Sequence, residues 1–427
     1  MSSGNEYYFE YMRELLGERY SDFVAAYNDK PRYKALRVNT RKITVEQFKR
    51  LFGTPLKQNA LCGNSFYCDV KPSLDPLYHA GLYYMQEPSA AAAVAAFAPY
   101  IGERVLDLCA APGGKATQAA EYMSGGVLFC NDPEYKRTKA LAENIERLGV
   151  SNAVVTCNTA GDYRRAGFDG YFDTLIVDAP CSGGGITRYE DVPYSAEIVA
   201  GCAARQRAVI DDATELLCRG GYMLYSTCTF AREENEDVVR YISSKGFRTV
   251  DIPLADGAER GIAEPNARRI YPMNFDGEGH FYCVLQKTAG GEAERTSARK
   301  KRATATFGRL KLDIAEISGR FVLPFDLPSL DGLNAVKIGT AVFDGGKDAA
   351  HALTHALTDE QVRAFGTVEL GELAGEYIRG KQLEVCAPQR GMLIATVGGH
   401  ALGLVKSAPT GDGTSALKNH YPKYLRV

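Results

Sequence analysis

The chain has 427 residues, of which 45% are hydrophobic and 24% charged, and a formal net charge of −2; that length suits two to four domains, and the balance excludes wholesale disorder and fibrous repeats. No apolar run reaches the about 18 residues of a membrane helix, and Met1 to Glu6 lack the basic start and apolar core of a signal peptide. Eleven cysteines without a Cys-x-x-Cys pair argue against a disulfide framework or zinc ribbon, so a cytoplasmic, metal-free protein with reduced thiols is expected.

In chain order, residues 1–85 read as a small mixed α/β region. Apolar groups recur at helical intervals over 6–27 (Tyr8, Met12, Leu15, Leu16, Tyr20, Phe23, Val24), and Ala35 to Asn39 reads as a strand. Glu87-Pro88-Ser89 opens a helix. Strands and helices then alternate over 86–288. Strands are expected at Arg104–Cys109, Gly126–Asn131, Ala153–Cys157, Thr174–Asp178, Gly221–Ser226 and His280–Gln286. Helices are expected after the first glycine turn through Met123 and at Glu134–Leu148, Ser195–Cys218 and Glu233–Ser244. This is a doubly wound α/β domain whose ligand lies beyond the carboxyl ends of the strands. Residues 289–303 are polar and basic without apolar periodicity, a linker. Residues 304–366 mix strands and helices as an intermediate α/β domain. Residues 367–427, with short alternating runs at Leu383–Cys386, Met392–Val397 and Leu402–Val405, form a small β-rich module.

Charge is unevenly spread. Residues 30–50 hold eight Lys/Arg against Glu46, and residues 292–311 hold seven against Glu292 and Glu294. Lys406, Lys418, Lys423 and Arg426 near the end face only Asp412. Three basic patches in a slightly acidic chain fit a polyanion met at several places, or solvated faces and a charged linker.

The first strand runs into Asp107-Leu108-Cys109-Ala110-Ala111-Pro112-Gly113-Gly114-Lys115. Glycines let a ligand approach the backbone, and the helix start favours an anionic group. The turn is neither G-x-G-x-x-G nor G-x-x-x-x-G-K-[ST], which disfavours dinucleotides and nucleoside triphosphates. The carboxylate of S-adenosylmethionine suits it. Asp132, at the end of the second strand, is placed to accept hydrogen bonds from a ribose diol.

The fourth strand ends Asp178-Ala179-Pro180-Cys181-Ser182-Gly183 and the fifth ends Ser226-Thr227-Cys228-Thr229. Both thiols fall at the predicted ligand edge, whereas Cys62, Cys130, Cys202, Cys218 and Cys283 read as inert core residues. Beside a methyl donor, a thiolate has a defined use on a looped-out cytosine. Carbon 5 is a poor nucleophile. Addition of a thiolate to carbon 6 makes the ring an enamine whose carbon 5 attacks the sulfonium methyl. A second thiol and a carboxylate assist proton loss and release.

VLDLCAAPGGK, NDPEYKRTKALAENIERLG, DTLIVDAPCSGGG and GYMLYSTCTFAREENE, with Gln86-Glu87-Pro88-Ser89 upstream, together resemble the RNA (cytosine-5)-methyltransferases of the bacterial RsmF/RsmB type, the Fmu/Sun family. The resemblance spans about residues 30–290. It implies a class I S-adenosylmethionine-dependent methyltransferase with a Rossmann-like sheet and an RNA-binding N-terminal region. It makes Cys228 the nucleophile and Cys181 the residue that helps release the product, with Asp178 against both cofactor and base. It also gives Cys109, Ala110, Ala111, Pro112, Gly113, Gly114, Lys115 and Asp132 to S-adenosyl-L-methionine. Lys115 serves in shaping the loop or its electrostatics.

Gly403-Leu404-Val405-Lys406 and Lys418-Asn419-His420-Tyr421-Pro422-Lys423 resemble the PUA-like end of RsmF-type enzymes, which methylate small-subunit (16S) ribosomal RNA. Its lysines, His420 and Tyr421 suit phosphates and base stacking. One departure concerns the adenine: Thr159 stands where the family usually places an aspartate, and Asp162 follows three residues later. Either Thr159 serves the adenine or Asp162 takes the role. A monomer acting on RNA away from membranes is expected. The weighed alternatives are a transfer-RNA cytosine-5 enzyme, an exocyclic-amino methyltransferase, an NAD(P) oxidoreductase and a non-catalytic ribosome-assembly factor. Asp178-Ala179-Pro180-Cys181 in place of Asp/Asn-Pro-Pro-Tyr disfavours the exocyclic chemistry. A non-catalytic factor would be expected to have lost Cys228 or the glycine turn.

Overall fold

The computed structural model describes residues 3–190, 192–386, 390–410 and 414–427; Met1, Ser2 and Asp412, named above, lie outside them. At its centre five parallel strands, β1 (Arg104–Asp107), β2 (Val127–Asn131), β3 (Ala153–Thr156), β4 (Phe172–Asp178) and β5 (Leu217–Thr227), lie in the order β5-β4-β1-β2-β3. β6 (His280–Lys287) runs antiparallel beside β5. The chain reverses direction across the sheet between β1 and β4, where such sheets open a crevice at their carboxyl ends.

The sequence of β4 explains its central place. Leu175 and Val177 enter one apolar cluster, with Leu106, Phe129 and Tyr225, while Ile176 enters another, with Leu224 and Val284. A strand covered on both faces therefore reads as a continuous apolar run. The covering helices are α1 (Gly114–Tyr122), α2 (Tyr135–Arg147), α3 (Ala160–Arg165), α4 (Ala196–Leu216) and α5 (Glu236–Ser243). α3 was not anticipated; six residues give too little periodicity to register, and its signal is the capping box of Thr159 and Asp162.

A further strand, β7 (Ala335–Ile338), also unanticipated, pairs antiparallel with β3 and extends the sheet on that side. Before it, Lys301–Phe307, Leu310–Ile317 and Arg320–Val322 form an antiparallel meander, so strand structure begins three residues before position 304. Part of the expected linker is fastened by a polar residue. The Arg295 guanidinium lies 3.8 Å from the Phe168 ring centroid and donates to the carbonyls of Ala166, Gly167 and Ser329. Apolar periodicity cannot report such an anchor.

The N-terminal region holds a four-stranded sheet that includes Ala35–Val38, and the C-terminal module a five-stranded one that includes Gly391–Val397 and His400–Pro409. They share one core, in which Leu36, Phe48 and Phe66 join Tyr377, Leu393 and Tyr421. Tyr421 is therefore buried, accepting or donating a 2.7 Å hydrogen bond with His79 Nδ1, and is no platform for a base. The aromatic ring exposed at this end is Tyr424. The first basic patch is likewise not one solvated face. Arg37 is buried against Glu121, Arg41 donates to the Ala120 carbonyl, and Lys42 donates to the carbonyls of Ala80 and Arg147. Sequence position alone does not separate a cation that binds carbonyls from one that meets solvent. Among the described residues no helix is long and apolar enough to cross a membrane.

Candidate active site

The carboxyl ends of the five parallel strands build the site. After β1 the chain turns through Cys109 to Lys115. Gly113 sits at φ +116°, a conformation that disfavours side chains, and starts α1. The turn is held from several sides: the Ala110 amide donates to the Asn131 carbonyl at 2.7 Å, and Arg137 and Asn144 donate to the carbonyls of Ala111 and Pro112. Arg37 from the N-terminal sheet donates to the Gly114 carbonyl and to Thr117 Oγ1. Next to the turn lies a cavity of about 210 Å³, whose lining includes Leu108, Cys109, Asn131, Pro133, Asn158 and Thr159.

Asp107 is fully buried and neither of its carboxyl oxygens has a hydrogen-bond partner. Burial, with the nearby Asp178 carboxylate, pushes it up to about 8. An unpartnered buried acid facing other acids fits a cationic guest. Asp132 is also buried. One of its oxygens accepts from the Glu134 amide; the other has no hydrogen bond and lies 3.2 Å from Arg137 Nη1. Thr159 lines the cavity, whereas Asp162, its partner in the capping box, lies off the lining and pairs with Arg165. Of the two adenine candidates, only Thr159 lies on the cavity wall.

At the end of β4, Asp178 Oδ2 lies 2.9 Å from Lys115 Nζ, and Oδ1 accepts from Ser226 Oγ at 2.8 Å. Burial alone would raise this carboxyl; the Lys115 cation and the hydrogen bonds from Lys115 and Ser226 hold it below the usual carboxylate range. His280, which opens β6, is buried with Nε2 unpartnered, and burial plus Lys115 pushes it down to about 3, so it is neutral.

The sulfurs of Cys181 and Cys228 lie 3.1 Å apart, both thiols free and half-buried. Their loops are tied together. Ser182 Oγ and Thr229 Oγ1 share a 2.9 Å hydrogen bond, and the Gly185 amide donates to the Cys228 carbonyl at 2.8 Å. Contact with Cys228, then burial, raises the Cys181 thiol well above its ordinary value. The five cysteines read as core residues are buried.

Sequence reasoning missed three parts of the site. The buried Glu234 grips the Cys181 loop; it hides in the charged run Glu233-Glu234-Asn235-Glu236 after β5. His280 carries no spacing signal. The N-terminal helices Ser3–Leu16 and Tyr20–Asp29 clamp both thiol loops: Tyr8 donates to the Gly184 carbonyl at 2.7 Å, and Tyr8, Met12 and Phe23 pack on Tyr194, Phe230 and Tyr271. The signal was the density of aromatic residues over 7–27. The assembly offers acidic oxygens to a cation, a glycine turn to a ligand's polar end, and a thiol pair to an electrophilic carbon.

Comparison with known proteins gives three family matches. Residues 94–286 match 16S rRNA methyltransferase RsmB/F, residues 5–88 the N-terminal domain of 16S rRNA methyltransferase RsmF, and residues 368–427 the RsmF PUA domain. The chain is 34% identical to ribosomal RNA small subunit methyltransferase F of Klebsiella pneumoniae (strain 342), over 95% of this chain and 92% of the relative. It is 31% identical to the protein of the same name in Shigella boydii serotype 4 (strain Sb227), over 97% and 95%. Among solved structures, a methyltransferase homologue from Pyrococcus horikoshii is 29% identical, covering 65% of this chain and 93% of that one, with a TM-score of 0.58. NSun6 from Pyrococcus horikoshii, 21% identical with a TM-score of 0.59 over 67% of this chain and 98% of that one, shares the fold.

Proposed function

The chain belongs to the 16S rRNA methyltransferase RsmB/F family, and from that premise we propose that it methylates carbon 5 of cytosine in small-subunit (16S) ribosomal RNA with S-adenosyl-L-methionine as donor. The observation that carries this reading is the 3.1 Å pair of free thiols at the ends of β4 and β5, beside Asp178 and Lys115. The PUA match supports RNA as the partner.

The residues present fit the donor. The unpartnered oxygens of Asp107 suit its ammonium, the turn from Cys109 to Gly114 its carboxylate, Asp132 its ribose diol, and Thr159 with Leu108 and Pro133 its adenine. When bound, S-adenosyl-L-methionine supplies an electrophilic methyl group. The chain's own residues do the rest. Asp178, charged and partly open, faces the base while Lys115 keeps it ionised. The Cys228 thiolate forms a bond to carbon 6, and the displaced electron pair makes carbon 5 nucleophilic. After methylation the carbon 5 proton is lost to water, and its bonding pair restores the 5,6 double bond as the carbon 6–sulfur bond breaks and its pair leaves with sulfur. The departing Cys228 sulfur takes the proton that Cys181 donates.

The test is adduct trapping with 16S RNA. The Cys181→Ala protein should accumulate a covalent RNA complex, the Cys228→Ala protein none, and bisulfite mapping should locate the modified cytosine. Stable adducts on Cys228→Ala would reject the assignment.

A further inference from the structure

Glu234 lies between the Cys228 loop and α5 with no solvent exposure. Its Oε2 accepts from the Ser182 amide and from Gln206 Nε2, each at 3.0 Å. The same Gln206 nitrogen donates to the Pro180 carbonyl at 3.0 Å. The residues on both sides of Cys181 are thus tied to one carboxylate. Tyr225 fixes the arrangement by donating to the Glu234 carbonyl at 2.6 Å, with its oxygen 3.2 Å from Gln206 Oε1. Glu234 Oε1 is buried without a hydrogen-bond partner.

Two thiols in contact need to lose only one proton between them, and the surrounding field decides which sulfur loses it. The titratable groups facing Cys181 are Cys228 from the loop after β5, Glu234 beyond it, Tyr225 of β5 and Cys202 of α4. On the same helix Arg205 donates to the Cys202 sulfur at 3.0 Å. Charge on Cys181 would sit next to a fixed carboxylate in a poorly solvated site, where like charges repel strongly. Charge on Cys228 can instead accept the Cys181 S–H across 3.1 Å.

We propose that Glu234 is a positioning residue that assigns the two sulfurs their roles: its buried carboxylate keeps the proton on Cys181, so that Cys228 carries the thiolate. This deepens the proposed function and rests on Cys228 being the nucleophile. Burial raises the Glu234 carboxyl, and the Ser182 and Gln206 hydrogen bonds pull it back toward the charged form.

The test is iodoacetamide alkylation of the full-length protein from pH 6 to 9, read cysteine by cysteine by mass spectrometry. Glu234→Gln removes the charge and keeps an acceptor oxygen. It should raise the Cys181 rate relative to Cys228 about tenfold at pH 7, the change expected for one unit of differential stabilisation. The kcat for methylation should fall while KM for RNA holds. Glu234→Asp, which keeps the charge, should leave Cys181 slow. An unchanged rate ratio in Glu234→Gln, or an equal rise in Glu234→Asp, overturns the proposal. Should Glu234→Gln fail to fold, Gln206→Met, which removes a hydrogen bond that favours the charged carboxylate, should speed Cys181 relative to Cys228 in the same direction; an unchanged ratio there also overturns it. Failure of the underlying reading looks different: Cys228→Ala would then still methylate RNA.

Discussion

The hydroxyls of Ser182 and Thr229 meet at 2.9 Å, each one residue past a site thiol. This bond spans two loops that start from different strands, so it sets the spacing of the sulfurs. A buried hydrogen bond contributes about 1 kcal/mol, and a stranded partner costs about 1–3 kcal/mol. Ser182→Ala and Thr229→Val should each lower kcat roughly tenfold without changing KM for the methyl donor. The double variant should lose little more than either single one. Steady-state kinetics on 16S RNA checks this; additive losses would mean the pair does not act as a unit.

Lys115→Met removes the cation that holds Asp178 ionised. A carboxyl held below its unfolded value stabilises the fold above that value, about 3.9, and the contribution is lost as pH falls through the lower folded value. Without Lys115, burial dominates and the carboxyl rises; above the unfolded value the sign reverses, so the variant is most stable in acid and loses stability as pH rises through the raised folded value. Asp178 remains 35% exposed toward the crevice, which keeps the stability cost nearer about 1 kcal/mol than the about 3–5 kcal/mol of a fully buried pair. Thermal melts from pH 3 to 8 should show the parent losing stability toward acid and the variant losing it as pH rises toward neutral, while the variant's methylation rate, which needs the ionised carboxylate, should show an acid limb displaced to higher pH.

Asp107 gives the opposite sign. Its folded value of about 8 lies above the unfolded one, so stability is fullest in acid and falls as pH rises from about 4 to 8. The cost of ionising it is on the order of 5 kcal/mol. Asp107→Asn should therefore raise the Tm of the ligand-free protein at pH 8 and flatten its pH dependence. The same change should weaken S-adenosyl-L-methionine binding by at least tenfold in calorimetry. A variant that is both less stable and unimpaired in binding would contradict both parts.

Tyr8 reaches the active-site loops from the first helix. Tyr8→Phe removes the hydrogen bond to the Gly184 carbonyl, at about 1–3 kcal/mol, while keeping the edge contact with Tyr194 at 5.0 Å between centroids. Tyr8→Ala should cost about 3–5 kcal/mol through the cavity it leaves. Denaturant melts separate the two, and the Phe variant should lose kcat out of proportion to stability if Tyr8 shapes the Gly183–Gly185 turn.

The sequence made the central sheet legible because its strands are apolar runs and its turns are glycines, both of which are local signals. The thiols were legible as residues at strand ends. Their partners were not. Gln206 and His280 reach the site from outside the strand-end motifs, and Glu234 sits in a charged run, Glu233-Glu234-Asn235-Glu236, that reads as a solvated face although Glu234, Asn235 and Glu236 are all buried. Tyr421 misled for the same reason. A tyrosine among lysines looks like a surface residue until a second sheet, from the N-terminal region, closes over it.

The four residues Ala335–Ile338 have a consequence for where this chain can be cut. They hydrogen-bond along β3 with a bulge between Ala335 and Lys337. A truncation at position 288, just past the residues 94–286 that match the methyltransferase family, strips this cover and bares a row of backbone amides and carbonyls on β3, an invitation to self-association. Asn334, just before, also exchanges hydrogen bonds with the side chain of Asn158 on the cavity wall. A shortened enzyme or a chimaera made without this segment would thus forfeit colloidal behaviour and donor affinity together.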